Sequence, residues 1–196
     1  MKVWKLYPWM ADFQKVKRLY DLSFHKDCRL PFWKLAALTV VRPAVEILGY
    51  YDGDVFCGFT FAIHTDRYLY INSMAVDPAL RSHGYGKQMI DLLHQRHPTP
   101  TVGVVKQPIP GTPEYEEDLR RVHFWEQRGC NFFGQQHVMR DDQGIAYIVG
   151  ATDTDYDRSA YQEIIDMRSC GLAATARILK RKLNKNRNCG IPVSTQ

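Results

Sequence analysis

One stretch constrains this chain more than any other: a hydrophobic strand runs through a proline turn into two glycines at the start of an amphipathic helix. It covers residues 71–86 and reads INSMAVDPALRSHGYG. A helix start leaves backbone N–H groups without partners, and together with the positive end of the helix dipole they form an anion site. Gly84 and Gly86 lack side chains, so phosphate oxygens can approach the backbone closely. We therefore predict a phosphate-binding loop at residues 81–86.

Spacing excludes two common phosphate-binding motifs. A P-loop requires Lys and then Ser or Thr after its second glycine, whereas Gln88 follows Lys87 here, and position 81 is not glycine. The dinucleotide-binding motif requires a third glycine where this chain has Met89. For an isolated pair of glycines, a plain strand–helix connection is the simpler alternative.

The order of predicted elements indicates the fold class. Periodicity predicts strands at residues 2–6, 45–51, 55–65, 68–76, 101–105, 130–140 and 145–149. It predicts helices at residues 12–24, 31–41, 85–97 and 114–128. This order predicts a mixed α/β fold in which helices cover both faces of a central sheet.

Length and charge suggest how the chain is divided. With 196 residues, one globular domain is expected at residues 1–150, followed by a partly helical extension at 151–183 and a disordered tail at 184–196. The net charge of +5 resides in the C-terminal part, because residues 167–196 contain basic but no acidic side chains. A solvated end is the simplest interpretation of this basic tail; contact with nucleic acid or an anionic membrane surface is the functional alternative.

Cysteine usage and hydropathy favour the cytoplasm. The five cysteines are scattered and form no CxxC pair, which is typical of reduced thiols. No apolar stretch approaches the roughly 18 residues of a membrane span, and the N-terminus has no apolar signal core. The spacing of the histidines and cysteines matches no zinc pattern, so no metal site is expected.

The loop and its context resemble the GNAT superfamily of N-acetyltransferases. Residues 81–86 follow the Val76-Asp77-Pro78 turn and match the superfamily signature Q/R-x-x-G-x-G/A. The order of elements from residue 2 to about residue 149 is also similar. The runs AVDPALRSHGYG and LRRVHFW resemble an uncharacterised bacterial subgroup more than the histone enzymes. The resemblance implies a mostly antiparallel sheet.

The resemblance also implies a cofactor, acetyl-CoA, and the residues that bind it. In the superfamily the glycine loop binds the pyrophosphate, and the preceding strand binds the pantetheine arm and polarises the thioester carbonyl. Carried over, the cofactor-binding residues are Met74, Ala75, Val76, Arg81, Ser82, His83, Gly84, Tyr85, Gly86, Phe124 and Trp125. The implied activity is direct transfer of acetyl to a primary amine on a small molecule, peptide or protein. A homodimer is common in the superfamily.

The superfamily pattern is broken at the residue that protonates the leaving thiolate. The tyrosine of the F-Y-x-x-x-G-F motif corresponds to Trp125, whose indole N–H is no proton donor. Water or the departing ammonium can protonate the thiolate instead, since its thiol has a pKa near 8.5. Substitute donors nearby in the pattern are Tyr115, His123, Cys130 and Tyr147. For Cys130, a buried structural thiol is a simpler interpretation than an acyl-carrying nucleophile.

The general base is less well indicated. Superfamily bases often lie on the strand before the loop, where the inward candidates are Tyr70 and Asn72. Glu46, His64 and Glu114 are further candidates, and only His64 has an ordinary pKa suited to the task. A hydrogen-bonded strand histidine is the alternative for His64. The absence of a carboxylate on the preceding strand also motivates a second hypothesis, a non-catalytic acyl-CoA-binding or regulatory module.

Overall fold

The structure, a computed structural model, describes residues 1–24, 29–132, 139–140 and 146–153. Its helices are α1 (Phe13–Ser23), α2 (Phe32–Val41), α3 (Tyr85–Arg96) and α4 (Tyr115–Glu126). Its strands are β1 (Lys2–Lys5), β2 (Val45–Asp52), β3 (Val55–His64), β4 (Leu69–Val76), β5 (Thr101–Lys106), β6 (Asn131–Phe132), β7 (Met139–Arg140) and β8 (Ala146–Ala151). A short 3₁₀ helix, Pro78–Leu80, was not predicted and lies between β4 and α3.

All eight strands belong to one sheet. Its order is β1-β2-β3-β4-β5-β8-β6, and β7 also pairs with β8. Every neighbouring pair is antiparallel except β4 and β5, which run parallel. The prediction of a mixed, mostly antiparallel sheet with helices is confirmed.

The two faces of the sheet carry separate hydrophobic clusters. On one face, α1 and α2 bury Val16, Leu19, Leu35 and Leu38 against Phe61 and its neighbours on the sheet. On the other face, apolar side chains of α3 and α4 pack against β2, β3 and β4, and they include Met89, Ile90, Leu93, Phe124 and Trp125. Helices therefore cover both faces, as the alternation of elements predicts.

The ends of α3 follow from local sequence. Gly84 precedes the helix with a φ of 79°, in the left-handed region that glycine adopts without a Cβ penalty. His97 follows its last turn, and Pro98 comes next, which disfavours a helical conformation for the residue before it. The chain thus enters α3 at the predicted glycine loop and leaves it beside Glu46 of β2 and His64 of β3.

Some predicted segments fall outside the described residues. Residues 154–196, which contain most of the predicted extension and the whole tail, belong to this group, as do residues 133–138 of the predicted strand 130–140. Within the described ranges, none of the helices has both the length and the apolar character that crossing a membrane would require.

Candidate active site

The central feature is an opening between the parallel strands β4 and β5. They pair only at Leu69/Thr101, Tyr70/Val102 and Ile71/Gly103. Beyond these three pairs, residues 73–76 of β4 keep antiparallel pairing with β3 alone, while residues 104–106 of β5 pair with β8. Because both strands continue after they part, one backbone edge of β4 is left without a strand partner among the described residues.

A β-bulge lies where the strands part. The register of β4 against β3 steps from Ile71/Ala62 to Ser73/Phe61, so Asn72 is the extra residue. The Asn72 amide Nδ2 donates to Ser73 Oγ at 2.7 Å. A bulge bends its strand and increases the local twist, which explains why β4 turns away from β5 at this point.

The glycine loop stands at the open end of β4. Asp77 closes the strand: its Oδ1 accepts a hydrogen bond from the Ala79 amide at 3.0 Å and thereby caps the 3₁₀ helix. Ser82 and Gly84 have φ angles of 64° and 79°. No described residue accepts a hydrogen bond from the amides of residues 82–87, and the first loop-to-helix bond is Gln88 N to Gly84 O at 3.2 Å. These N–H groups at the start of α3 are the donors that the predicted anion site requires.

The two glycines of the loop have different roles. A Cβ on Gly84 would meet nothing within 4 Å, so glycine is required there by its φ angle. A Cβ on Gly86 would lie 3.1 Å from the Phe124 ring, so the contact between α3 and α4 favours glycine there. Close approach of phosphate was the predicted reason for both glycines; at Gly86 the structure adds the contact with the neighbouring helix.

Loop side chains hold the loop's own shape. Arg81 Nε donates to the Val76 carbonyl at 3.3 Å, and His83 Nδ1 lies 2.7 Å from the Arg81 carbonyl. The Tyr85 hydroxyl donates to Asp52 Oδ2, at the β2–β3 turn, at 2.8 Å. Arg81, Ser82, His83 and Gly84 are exposed, which leaves the loop accessible to a ligand.

Phe124 and Trp125 lie on the α4 side of the sheet. Their rings make an edge contact with centroids 5.2 Å apart and an interplanar angle of 87°. The Arg128 guanidinium covers the other side of Phe124, with its carbon 3.6 Å from the ring centroid. Phe124 is therefore fixed between Gly86 and Arg128, and Trp125 is partly buried beside it.

Two of the predicted base candidates lie together, away from the opening. His64 pairs with Leu69, at the closed end of the β4–β5 ladder. Its ring stacks on His97 with centroids 4.4 Å apart. His97 Nε2 is 2.8 Å from Glu46 Oε2, and Arg96 donates to both oxygens of Glu46 at 2.8 and 3.0 Å. These side chains therefore gather at the C-terminal end of α3, opposite to the glycine loop.

Burial and hydrogen bonding explain the pKa values in this cluster. Burial raises the pKa of Glu46, but hydrogen bonds from Arg96 and His97 outweigh it and hold the pKa at about 2. Burial and the neighbouring His97 lower the pKa of His64 below its ordinary value. Glu46 is therefore an anion engaged in ion pairs rather than an available base.

The remaining catalytic candidates lie on β4 and at the start of α4. Tyr70 is 2 % exposed and belongs to the cluster on the α1/α2 face. Asn72 is half-buried at the bulge. Glu114 is exposed at the start of α4 with one oxygen 3.9 Å from Lys106 Nζ, and Tyr115 is half-buried next to it.

The alternative proton donors differ in burial. His123 is exposed and Tyr147 is half-buried. Cys130 is buried, and burial raises its pKa to about 11, so the thiol stays protonated at neutral pH. This favours the interpretation of Cys130 as a structural thiol over that of a nucleophile.

A buried ion pair beside the opening was missed by the sequence argument. Asp118 of α4 is 1 % exposed, and its Oδ2 lies 3.2 Å from Nζ of Lys106, the last residue of β5. Arg121 donates to its other oxygen. A signal was available in the sequence, because Asp118 stands four residues before the apolar Val122 and thus on the buried face of the helix.

Comparison with known proteins places these features in a family. The sequence model described as "Acetyltransferase (GNAT) family" matches residues 9–129. No curated protein sequence matches the chain. The parted strands, the bulge and the glycine loop together define an acetyltransferase fold. The match over more than half of the chain shows that it belongs to the GNAT family, which confirms the resemblance.

Solved structures share this fold. An acetyltransferase of the GNAT family from Bacteroides thetaiotaomicron aligns over 84 % of this chain and 93 % of its own, with a TM-score of 0.69 and 20 % identity. An aminoglycoside 6'-N-acetyltransferase in complex with coenzyme A aligns over 80 % of this chain and 100 % of its own (TM-score 0.57, 14 % identity). The ribosomal-protein-S18-alanine N-acetyltransferase from Escherichia coli aligns over 76 % of this chain and 91 % of its own (TM-score 0.54, 14 % identity).

Proposed function

We propose that the protein is an acetyl-CoA-dependent N-acetyltransferase that transfers acetyl directly to a primary amine. One observation carries the proposal: the free amides of residues 82–87 stand at the end of the unpaired edge of β4. An anion site followed by a free strand edge suits a diphosphate joined to an amide-containing arm. We further propose that residues 1–150 form the catalytic domain.

Each part of the opening has a role in this proposal. Amides of residues 82–87 bind the pyrophosphate, and the edge of β4 at Met74, Ala75 and Val76 binds the amides of the pantetheine arm. Acetyl-CoA supplies an activated thioester. A backbone N–H of this edge stabilises the negative charge that develops on the carbonyl oxygen as the C–N bond forms. The carbonyl re-forms when the C–S bond breaks and the thiolate leaves. Positioning and electrostatics are thus the protein's contribution.

Proton transfer is proposed to rely on groups at the opening. The acceptor amine must lose a proton before attack, and Asn72 at the bulge can orient it or a water molecule. Tyr70, Glu114 and Tyr115 are the other proposed participants. His64 is a weaker proposal, because it pairs with Leu69 where the strands are still joined. With Trp125 in place of a tyrosine, the departing ammonium or water protonates the thiolate.

A direct assay separates this function from a binding module. The non-catalytic alternative is favoured by Trp125 and by the absence of a carboxylate on the described residues of β4. Free thiol released from acetyl-CoA is measured with a panel of amines: aminoglycosides, polyamines, amino acids and peptides with free N-termini. The panel reflects the aminoglycoside and ribosomal-protein acceptors named for the structural relatives. Turnover with any acceptor would exclude the purely binding role.

Cofactor binding is tested separately by thermal unfolding. Acetyl-CoA at 100-fold excess over its Kd should stabilise the protein by about 2.7 kcal/mol. Gly84→Glu should abolish this effect, because it adds bulk and negative charge at the anion site. Gly129→Glu is the matched control, since Gly129 has a similar φ of 80° and an equally open Cβ position away from the loop. No shift of wild-type protein at millimolar acetyl-CoA would contradict the proposal.

Other features remain predictions. A cytoplasmic location, a homodimer and contacts of the basic tail with nucleic acid are consistent with the sequence. Removal of residues 167–196 should abolish any affinity for DNA or RNA if that affinity belongs to the tail.

A further inference from the structure

Three potential metal ligands meet at the closed end of the sheet. Glu46 of β2, His64 of β3 and His97 after α3 bring their donor atoms within 4.8 Å of one another. Glu46 is buried and the two histidines are half-buried. These residues are 18 and 33 positions apart in sequence, so no local spacing motif contains them.

The surroundings of His64 resemble those of a metal ligand. Its ring lies near the backbone carbonyl of Pro43. A ligating histidine usually donates one ring N–H to such a carbonyl, which fixes its orientation and directs the other nitrogen to the metal.

We propose that Glu46, His64 and His97 form a binding site for a divalent transition-metal ion of the zinc type. Two imidazoles and one carboxylate are a donor set that suits such an ion, with water completing the coordination. The site lies at the opposite end of α3 from the glycine loop and does not depend on the proposed acetyltransferase activity.

Binding requires a local rearrangement. The two rings are stacked with an interplanar angle of 20°, and they must turn so that both lone pairs converge on one point. A tetrahedral ion with ligand distances of about 2.1 Å places its donor atoms about 3.4 Å apart. His97 Nε2 and Glu46 Oε2, now 2.8 Å apart, must therefore separate slightly, while the other donors draw together.

Two cations next to the site set its affinity. Arg96 Nη2 can keep its bond to Glu46 Oε1 as an outer partner of the ligating carboxylate, whereas Arg96 Nε must give up Glu46 Oε2 to the ion. Lys5 Nζ lies 3.5 Å from the same oxygen and repels a divalent cation. Lys5 is on the edge strand β1, so it can be replaced without changing a ligand. The charge of Lys5 should therefore weaken metal binding, and its removal should strengthen it.

Zinc binding by the full, tag-free, reduced chain tests the proposal. Equilibrium dialysis with Zn²⁺ counts bound equivalents, and titration calorimetry gives their affinities. We expect wild-type protein to bind one equivalent more than His64→Gln or His97→Gln. His94→Gln is the matched control, since His94 is a half-buried histidine of α3 outside the cluster, and this variant should keep the equivalent. Equal zinc content in wild type and both cluster variants would overturn the proposal.

A second variant keeps the test independent of folding defects in the histidine variants. Lys5→Gln keeps all three ligands, and we expect it to bind Zn²⁺ several-fold more tightly than wild type. Co²⁺ bound to the wild-type site should give visible absorption bands that are absent in His97→Gln. Unchanged zinc affinity in Lys5→Gln would show that any bound ion lies elsewhere and would reject this site.

Discussion

The Tyr85 hydroxyl donates a 2.8 Å hydrogen bond to the carboxylate of Asp52. Tyr85 is the first residue of α3 and lies within the glycine loop, whereas Asp52 ends β2 at the turn into β3. The bond connects the proposed anion site to a rigid hairpin of the sheet. The orientation of the free amides thus depends on a contact outside the loop itself.

Tyr85→Phe should weaken coenzyme A binding several-fold with little effect on folding. The substitution keeps the ring but removes the bond that anchors the loop, so the amides are less well preorganised for the pyrophosphate. Titration calorimetry of Tyr85→Phe, Asp52→Asn and the double variant measures the effect. The double variant should bind coenzyme A no more weakly than either single variant. Additive losses of affinity would indicate that the two residues act separately.

Gly84→Ala and Gly86→Ala should destabilise the protein for different physical reasons. At Gly84 the cost is the left-handed backbone, about 1 kcal/mol, because its Cβ would meet nothing within 4 Å. At Gly86 the cost is overpacking against the Phe124 ring at 3.1 Å. Urea unfolding of both variants in the Phe124→Leu background distinguishes the two causes. The smaller side chain at position 124 should reduce the loss of stability caused by Gly86→Ala but not that caused by Gly84→Ala.

Glu46 should stabilise the fold in a pH-dependent way. Its pKa is about 2 in the folded protein against an ordinary value of 4.5, so its stabilisation is fully present above pH 4.5 and decreases as the pH falls toward 2. The shift corresponds to ~3 kcal/mol at neutral pH. Urea unfolding at pH 7 and pH 3 should show that Glu46→Gln lowers the free energy of unfolding by less at pH 3 than at pH 7. An equal cost at both pH values would contradict this linkage.

Trp125→Tyr should raise kcat if protonation of the thiolate limits the proposed reaction. The tyrosine restores a hydroxyl at the position where the superfamily pattern has one, whereas Trp125 offers only an indole N–H. Trp125→Phe is the matched control, because it changes the size in the same direction without adding a hydroxyl. If both variants changed kcat equally, the effect would come from packing against Phe124.

Asp118→Ala should destabilise the protein, because it removes a buried carboxylate that pairs with both Lys106 and Arg121. Asp118→Asn keeps the size of the side chain and should lower the free energy of unfolding by less than Asp118→Ala. Chemical unfolding of both variants checks the order. A surface substitution such as Glu117→Ala, whose carboxylate pairs with the exposed side of Arg121, should have little effect.

Much of the fold could be predicted because local patterns and topology agree. Strands β2, β3 and β4 were predicted within a residue of their observed ends, since the Asp52–Gly53 turn and the aromatic runs leave few alternatives. The glycine loop was predicted because Gly84 and Gly86 stand where a strand passes through a proline turn into an amphipathic helix. What the loop binds stays a prediction.

The parts that were not predicted depend on contacts between distant elements. Nothing near Glu46 indicates that Arg96 and His97 will neutralise it, since the pairing follows from the path of α3 across the sheet. The buried contact of Asp118 with Lys106 likewise joins a helix to a strand across a long loop. The packing role of Gly86 depends on Phe124, 38 residues later in the sequence.

Among the residues that the structure describes, three pairs between β4 and β5 join one half of the sheet to the other. A pantetheine arm lying along β4 would serve as a surrogate strand, filling with its own amides the place that β5 vacates. Bound acetyl-CoA would then complete the sheet between β4 and β5. The acetyl donor would stabilise the folded protein in addition to serving as its substrate.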